Sequence, residues 1–150
     1  MKKCITVLTV LLMTTAACQQ NTTKIEREYI AKAIKEANIE LDYQWIVVLP
    51  GMGCHGCIQE AEAFMSKHIA DKRILFVLTK TSSLKILQQK TGLHINEHTN
   101  IFIDKHNLFD IPTDNRIYPC VVEIMDRNVY THSFQSPQND AFYPLEKRLW

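Results

Sequence analysis

The sequence has no surplus of charge of either sign. It contains 17 lysine and arginine residues against 16 aspartate and glutamate residues, and its net charge is +1. Proteins that hold nucleic acid or an anionic membrane surface usually depend on a clear excess of basic residues. The charge balance therefore argues against both functions.

Cysteine is too scarce to build a small domain stapled by disulfides. The chain has five cysteines, of which Cys4 and Cys18 fall within or at the end of a predicted N-terminal leader. Cys54, Cys57 and Cys120 remain, and three thiols cannot all pair within one chain. The count predicts one reactive pair and one additional cysteine.

The N-terminus has the three parts of an export signal. Lys2 and Lys3 form a positive start, residues 5–13 form an apolar stretch, and residues 15–17 are small and end at Cys18. The apolar stretch is too short to span a bilayer. The pattern predicts that the protein is exported, and loss of the two lysines with the leader changes the net charge from +1 to −1.

This end of the chain resembles the signal peptide and lipobox of bacterial lipoproteins. The resemblance implies that residues 1–17 are removed and that Cys18 is lipidated and anchors the protein in the cell envelope. Gln19, where many inner-membrane lipoproteins carry aspartate, implies the outer membrane. Thr15 departs from the leucine-like residue usual in a lipobox, and the alternative is an ordinary secretory signal cut near Ala17.

After the leader, the hydrophobic pattern predicts a polar tether over residues 18–22 and one α/β domain over residues 23–150. A capping box formed by Thr23 and Glu26 predicts the start of the first helix. The remaining apolar periods predict strands at 45–49, 73–79 and 101–103, helices after residue 57, from 83 to 90 and from 144 to 149, and a hairpin of residues 121–125 and 129–134.

The most informative motif is Cys54-His55-Gly56-Cys57. It follows the predicted strand 45–49 and precedes a helical pattern, so both thiols lie at a helix start. The unpaired N–H groups and the dipole there lower a thiol pKa from about 8.5 towards roughly 3.5–7.5. A Cys54 thiolate with a second thiol three residues on can attack a disulfide and then be released by Cys57. The motif predicts dithiol–disulfide exchange.

These residues, with Tyr118-Pro119 just before the strand 121–125, resemble the thioredoxin-like superfamily. The resemblance implies a central mixed β-sheet with flanking helices and a protein-disulfide oxidoreductase that needs no bound cofactor. It also implies that Cys54 attacks, that Cys57 resolves, and that Pro119 is cis and shapes a substrate groove with Tyr118. The partners would be thiols and disulfides of envelope proteins, and the domain would be a monomer.

The motif departs from that family in two ways. Gly53 stands where an aromatic residue is common, and the strand 45–49 lacks the carboxylate that many members bury to take a proton from the second cysteine. Proton transfer would then need water or a carboxylate from elsewhere. His55 and Gly56 stand between the two cysteines. An imidazolium at position 55 would stabilise the Cys54 thiolate and make the pair more oxidising.

An alternative function rests on the same loop. Residues 51–57 also resemble the Gly-Met-x-Cys-x-x-Cys loop of heavy-metal-associated domains, which implies Cu(I) binding by Cys54, Cys57 and Met52. Those domains are small ferredoxin-like folds, whereas here a capped helix follows the strand 73–79. The order of the elements therefore favours the redox function.

Two further sets of residues have both a functional and a structural interpretation. Cys120 could be a third redox thiol, but a cysteine in a strand more often fills the core, which we favour. Phe109, Tyr118 and Tyr143 are candidates for lining a peptide groove, although packing in the core is the simpler interpretation for aromatic residues.

Overall fold

The computed structural model describes residues 21–150, which form an α/β structure with a five-stranded mixed sheet and four helices. A helix, α1, covers residues 21–36 of the described chain. The other elements, in chain order, are β1 (Trp45–Pro50), α2 (His55–His68), β2 (Ile74–Thr79), α3 (Leu84–Thr91), β3 (Ile101–Asp104), β4 (Cys120–Met125), β5 (Asn128–Phe134) and α4 (Phe142–Leu149).

The sheet has the strand order β3-β2-β1-β4-β5. Strands β1, β2 and β3 are parallel, whereas β4 runs antiparallel to both β1 and β5. All six residues of β1 and of β2 are buried, as expected for strands covered on both faces. Because β1 is the central strand, the loop after Pro50 lies at the middle of the sheet, beyond the carboxyl end of β1.

The sheet separates two apolar layers. On one face, side chains of α2, α3 and α4 pack against Val47 and Phe76, and Ala61, Phe64 and Met65 form the buried stripe of α2. On the other face, α1 packs against Ile46, Val48 and Val122. The helix that carries the cysteines and the helix that precedes β1 thus lie on opposite faces of the sheet.

The predicted strands and helices after residue 44 are confirmed, with shifts of one or two residues at their ends. Ser83 caps α3 by accepting a hydrogen bond from the Ile86 amide, and Gly92 ends that helix with a positive φ of 70°. The hairpin between β4 and β5 turns at Asp126 and Arg127. Local signals were sufficient for these elements.

The predicted capping box is wrong. Residues 21 and 22, expected in a tether, are already helical, so Thr23 lies within α1. Ile25 is 44% exposed, whereas Glu26 is 2% exposed. The buried face of α1 therefore includes a carboxylate, which packs against the domain.

The predicted leader and the predicted lipidation site Cys18 lie outside the described residues. Within residues 21–150, no helix combines the length and the apolar character needed to cross a bilayer.

Candidate redox site

Cys54 and Cys57 form a disulfide at the start of α2, with 5.3 Å between their Cα atoms. Cys54 is the N-cap of the helix and Cys57 lies in its first turn. Their accessibility differs, since Cys54 is half-buried and Cys57 is only 5% exposed. A thiolate from another molecule can therefore reach the sulfur of Cys54 more readily than that of Cys57.

The loop before Cys54 depends on Gly53. Its φ of 145° lies in a region that residues with a Cβ rarely adopt, and a Cβ at this position would overlap the carbonyl of Ile117. The adjacent Cys54 amide donates a hydrogen bond of 3.0 Å to the Ile117 oxygen. The absence of an aromatic residue at position 53 thus has a structural reason, because the backbone before Cys54 lies against that of Ile117.

The structure brings the segment that contains Tyr118 and Pro119 to the cysteines through Ile117. Pro119 is buried, and its carbonyl accepts a hydrogen bond of 2.8 Å from the Gln135 amide. No peptide bond among the described residues is cis, so the bond between Tyr118 and Pro119 is trans and the expected cis bond is wrong. The backbone that touches the active loop is that of Ile117, one residue before the expected pair.

A cavity of about 520 Å³ opens beside the disulfide. Both cysteines, Gly56 and Glu60 line it on the α2 side, and residues 135–140 line the other side. Glu60 accepts a hydrogen bond of 2.7 Å from the Gln135 side chain. Glu60 is exposed and lies one helical turn after Cys57. It is thus a carboxylate on the wall of the redox site, supplied by the helix after the cysteines and not by the strand before them.

Gln135 fixes the opposite wall of this cavity. Its side chain is buried, and its amide oxygen accepts hydrogen bonds from the backbone amides of Ala141, at 2.7 Å, and Phe142, at 3.2 Å. One amide side chain therefore joins Glu60 of α2 to the start of α4. No local pattern predicts this role, since the partners lie 75 residues before and six or seven after Gln135.

A second cavity, of about 340 Å³, adjoins the first and shares Glu60, Gln135 and Asp140 with it. Tyr143 lies on its wall and is 56% exposed, as the groove interpretation expects. Phe109, in contrast, is 2% exposed and belongs to the core beside α1. Of the aromatic candidates, Tyr143 borders an open groove and Phe109 does not.

Cys120 is a free cysteine with no exposed surface, in the core layer beside α1. Burial, and to a smaller extent the nearby charge of Glu26, raise the pKa of the Cys120 thiol well above its ordinary value. A thiol that is both inaccessible and protonated is a poor nucleophile. The structure favours the core-filling role for Cys120.

A buried polar cluster that the sequence did not predict is centred on Glu26. One carboxylate oxygen accepts hydrogen bonds from the side chains of Thr113, at 2.7 Å, and Asn115, at 2.8 Å. The other lies 3.0 Å from Nε2 of His132 on β5. Burial alone would raise the Glu26 pKa, but the hydrogen bonds from Thr113, His132 and Asn115 outweigh it and hold the pKa below its ordinary value. Glu26 therefore stays ionised at neutral pH.

Met52 and His55, the remaining predicted residues, lie near Cys54 in the chain but do not form a metal site. Met52 is 62% exposed, and His55 is exposed at the first position of α2. Among residues 21–150, no three His, Cys, Asp or Glu side chains come together in a group that could hold a metal ion. In this structure the two cysteine sulfurs are bonded to each other.

Comparisons of the chain with protein-family models, curated proteins and solved structures found no match.

Proposed function

We propose that this chain is a thiol–disulfide oxidoreductase with a thioredoxin-like domain. The observation that carries the proposal is the Cys54–Cys57 disulfide at a helix start, with Cys54 half-buried and Cys57 buried. The order β3-β2-β1-β4-β5, with the cysteines directly after the central parallel strand, agrees with that architecture. No cofactor is needed, because the cysteine pair itself holds the electrons.

In the oxidising direction, a thiolate of a partner protein attacks the sulfur of Cys54. The Cys54–Cys57 bond breaks, a mixed disulfide forms, and Cys57 leaves as a thiolate that takes up a proton. A second thiolate of the partner then attacks the partner's own sulfur in the mixed disulfide and releases Cys54. Two electrons and two protons pass from the partner dithiol to the cysteine pair, and the reverse sequence reduces a partner disulfide.

We assign to Glu60 the role of accepting the proton that Cys57 must lose. Resolution of a mixed disulfide requires Cys57 to lose its proton, and burial of this thiol disfavours the thiolate. The Glu60 carboxylate lines the same cavity one helical turn away, and the cavity gives water access between the two groups. Glu60 thus takes the place of the proton-accepting carboxylate that the strand before the cysteines lacks.

The proposed location is the cell envelope. The lipoprotein-like leader would place a lipid on Cys18, with the domain facing the envelope and the outer membrane as its site of attachment. Protein thiols and disulfides in that compartment would be the partners, and the domain would act as a monomer. Labelling of the expressed protein with a radioactive fatty acid, compared with Cys18→Ala, tests the anchor.

The redox equilibrium of the purified protein against glutathione tests the activity. We expect a reversible two-electron couple that is lost in both Cys54→Ser and Cys57→Ser. Cys120→Ser is the matched control, because this thiol is buried outside the pair, and it should leave the couple in place. Absence of a reversible couple, with tight Cu(I) binding that needs both Cys54 and Cys57, would overturn the proposal in favour of a soft-metal carrier.

A further inference from the structure

The segment of residues 113–118, which we call the anchor segment, has little apolar burial of its own. It runs between buried Ile111 and buried Pro119, and each of its residues is exposed or half-buried. A segment of this kind is held in place mainly by polar contacts, since burial of its side chains contributes little. Among residues 21–150, the side chains of this segment make two hydrogen bonds to the interior, from Thr113 and from Asn115, and both go to Glu26.

The anchor segment also holds the backbone that carries the attacking cysteine. Its short helical turn, Asp114–Ile117, is closed by hydrogen bonds from the Arg116 amide to the Thr113 oxygen, at 3.1 Å, and from the Tyr118 amide to the Asn115 oxygen, at 2.9 Å. The Ile117 oxygen in turn accepts the Cys54 amide. Two short steps, from Glu26 to Asn115 and from Ile117 to Cys54, therefore link a buried carboxylate of α1 to the redox loop.

The two oxygens of the Glu26 carboxylate have different tasks. One receives both donors of the anchor segment, and the other faces His132 on β5. His132 and Glu26 each expose only 3% of their side chains, so the contact between them lies within the domain and does not touch the anchor segment. The carboxylate thus joins a surface segment to the sheet.

We propose that Glu26 is a positioning residue of the redox site, which sets the place of Cys54 by anchoring residues 113–118. The inference rests on the proposed function and extends it to a residue that is 28 positions before the attacking cysteine. The negative charge strengthens the hydrogen bonds from Thr113 and Asn115, because an ionised acceptor binds a donor more strongly than a neutral one.

The effect on chemistry follows from the position of the Cys54 sulfur at the start of α2. A thiolate is stabilised there only if it lies close to the unpaired N–H groups of the first turn. If the anchor segment loosens, the Ile117 carbonyl no longer fixes the Cys54 amide. The sulfur then spends less time over the helix start, the Cys54 thiol pKa rises, and attack at neutral pH slows.

The test compares two ways of breaking the contacts of the same carboxylate. The double variant Thr113→Val/Asn115→Ala removes the donors of the anchor segment, whereas His132→Phe removes the contact with the sheet. Both are made in a Cys57→Ser background, so that Cys54 is the accessible thiol. The rate of alkylation by iodoacetamide is measured against pH, and it gives both the thiol pKa and the limiting rate.

We expect the double variant to raise the Cys54 thiol pKa by about one unit, which lowers the thiolate fraction and slows alkylation at pH 7 by about tenfold. His132→Phe should lower the midpoint of urea unfolding but change the alkylation rate less than about twofold. Equal slowing in both variants, or no slowing in the double variant, would overturn the inference, because the effect would then be general destabilisation or none.

Hydrogen exchange provides a second measurement on the oxidised wild-type background. The Cys54 amide should exchange faster in the double variant and at the wild-type rate in His132→Phe. Neither measurement needs a protein partner. If the wild-type chain shows no reversible redox couple while these differences are found, the proposed function fails and the positioning role stands. If the couple is present and the differences are absent, the positioning role fails alone.

Discussion

Replacing Glu60 with glutamine should slow the second chemical step of exchange and leave the first unchanged. The first step is attack by Cys54 on a disulfide, and the second is attack by Cys57 on the mixed disulfide. Glutamine keeps an oxygen that can accept the hydrogen bond from Gln135, so the wall of the cavity should persist. The variant removes the carboxylate's ability to take a proton and little else.

The size of the effect follows from the burial of Cys57. An ordinary thiol with a pKa of about 8.5 is roughly 3% ionised at pH 7, and the buried Cys57 meets little water that could take its proton. A positioned general base typically accelerates such a step by about 10² to 10⁴. Glu60 is exposed, and water competes with it for the proton, so we expect slowing of about 10- to 100-fold at pH 7.

Stopped-flow reaction of the reduced protein with Ellman's reagent separates the two steps. The first coloured thiolate is released when Cys54 attacks the reagent, and the second when Cys57 resolves the mixed disulfide. Only the second release should slow in Glu60→Gln, and the difference should fade at alkaline pH, where solvent deprotonates Cys57 unaided.

Glu62→Gln is the matched control for this experiment. Glu62 lies on the same helix, but its carboxylate pairs with Lys90, at 3.3 Å, away from the disulfide cavity. A slowing that is equal in the two variants, or one that persists unchanged at high pH, would refute the role of Glu60 as proton acceptor.

Three further predictions concern the surroundings of the pair. His55→Ala should raise the Cys54 thiol pKa by a few tenths of a unit and lower the redox potential by about 10 mV, since His55 is exposed and water screens an imidazolium at this position. The pH dependence of alkylation measures the pKa, and the equilibrium with glutathione measures the potential. An unchanged potential would remove His55 from the mechanism. Gly53→Ala should destabilise the fold by about 1–3 kcal/mol in urea unfolding, because Gly53 has a positive φ and a Cβ there would overlap Ile117. Gly56→Ala is the control and should be neutral or stabilising, because its Cβ would meet nothing within 4 Å. Because the Glu26 pKa is lowered in the folded protein, ionised Glu26 contributes stability above its ordinary pKa of 4.5, and this stability is lost as pH falls through the lower folded value. The difference in unfolding free energy between the wild type and Glu26→Gln should therefore shrink on acidification below about pH 4.5. A difference that is constant down to about pH 2 would contradict this prediction.

The parts of this structure that the sequence predicts are those with local causes. Apolar runs predict the strands β1 and β2. A serine that accepts a hydrogen bond from the amide three residues later, and a glycine at the helix end, predict α3. Each of these signals acts within a few residues. The position of Cys54 and Cys57 at a helix start follows in the same way from the strand before them and the helical spacing after them.

The contacts that complete the site have no local cause. Glu26 meets Thr113, Asn115 and His132 across 87, 89 and 106 residues, and these three partners offset the cost of burying its carboxylate. The spacing of apolar residues therefore favours Ile25 for the buried face of α1, because that spacing carries no information about hydrogen-bond donors from distant parts of the chain. The isomer of the bond before Pro119 escapes prediction for a similar reason, since the intrinsic preference for trans is only about 0.5–1 kcal/mol and the surroundings decide it.

The inequality of the two sulfurs bears directly on the choice between exchange and metal transfer. A linear Cu(I) site needs both thiolates free to converge on one ion, and a carrier must offer both to its partner. Here Cys57 lies within the first turn of α2 and is 5% exposed, while the backbone of Cys54 is fastened to Ile117. One sulfur is presented at the surface and the other is held behind it beside a carboxylate. Exchange needs this division, because one sulfur must meet the partner and the other must wait, protonated, until the mixed disulfide has formed.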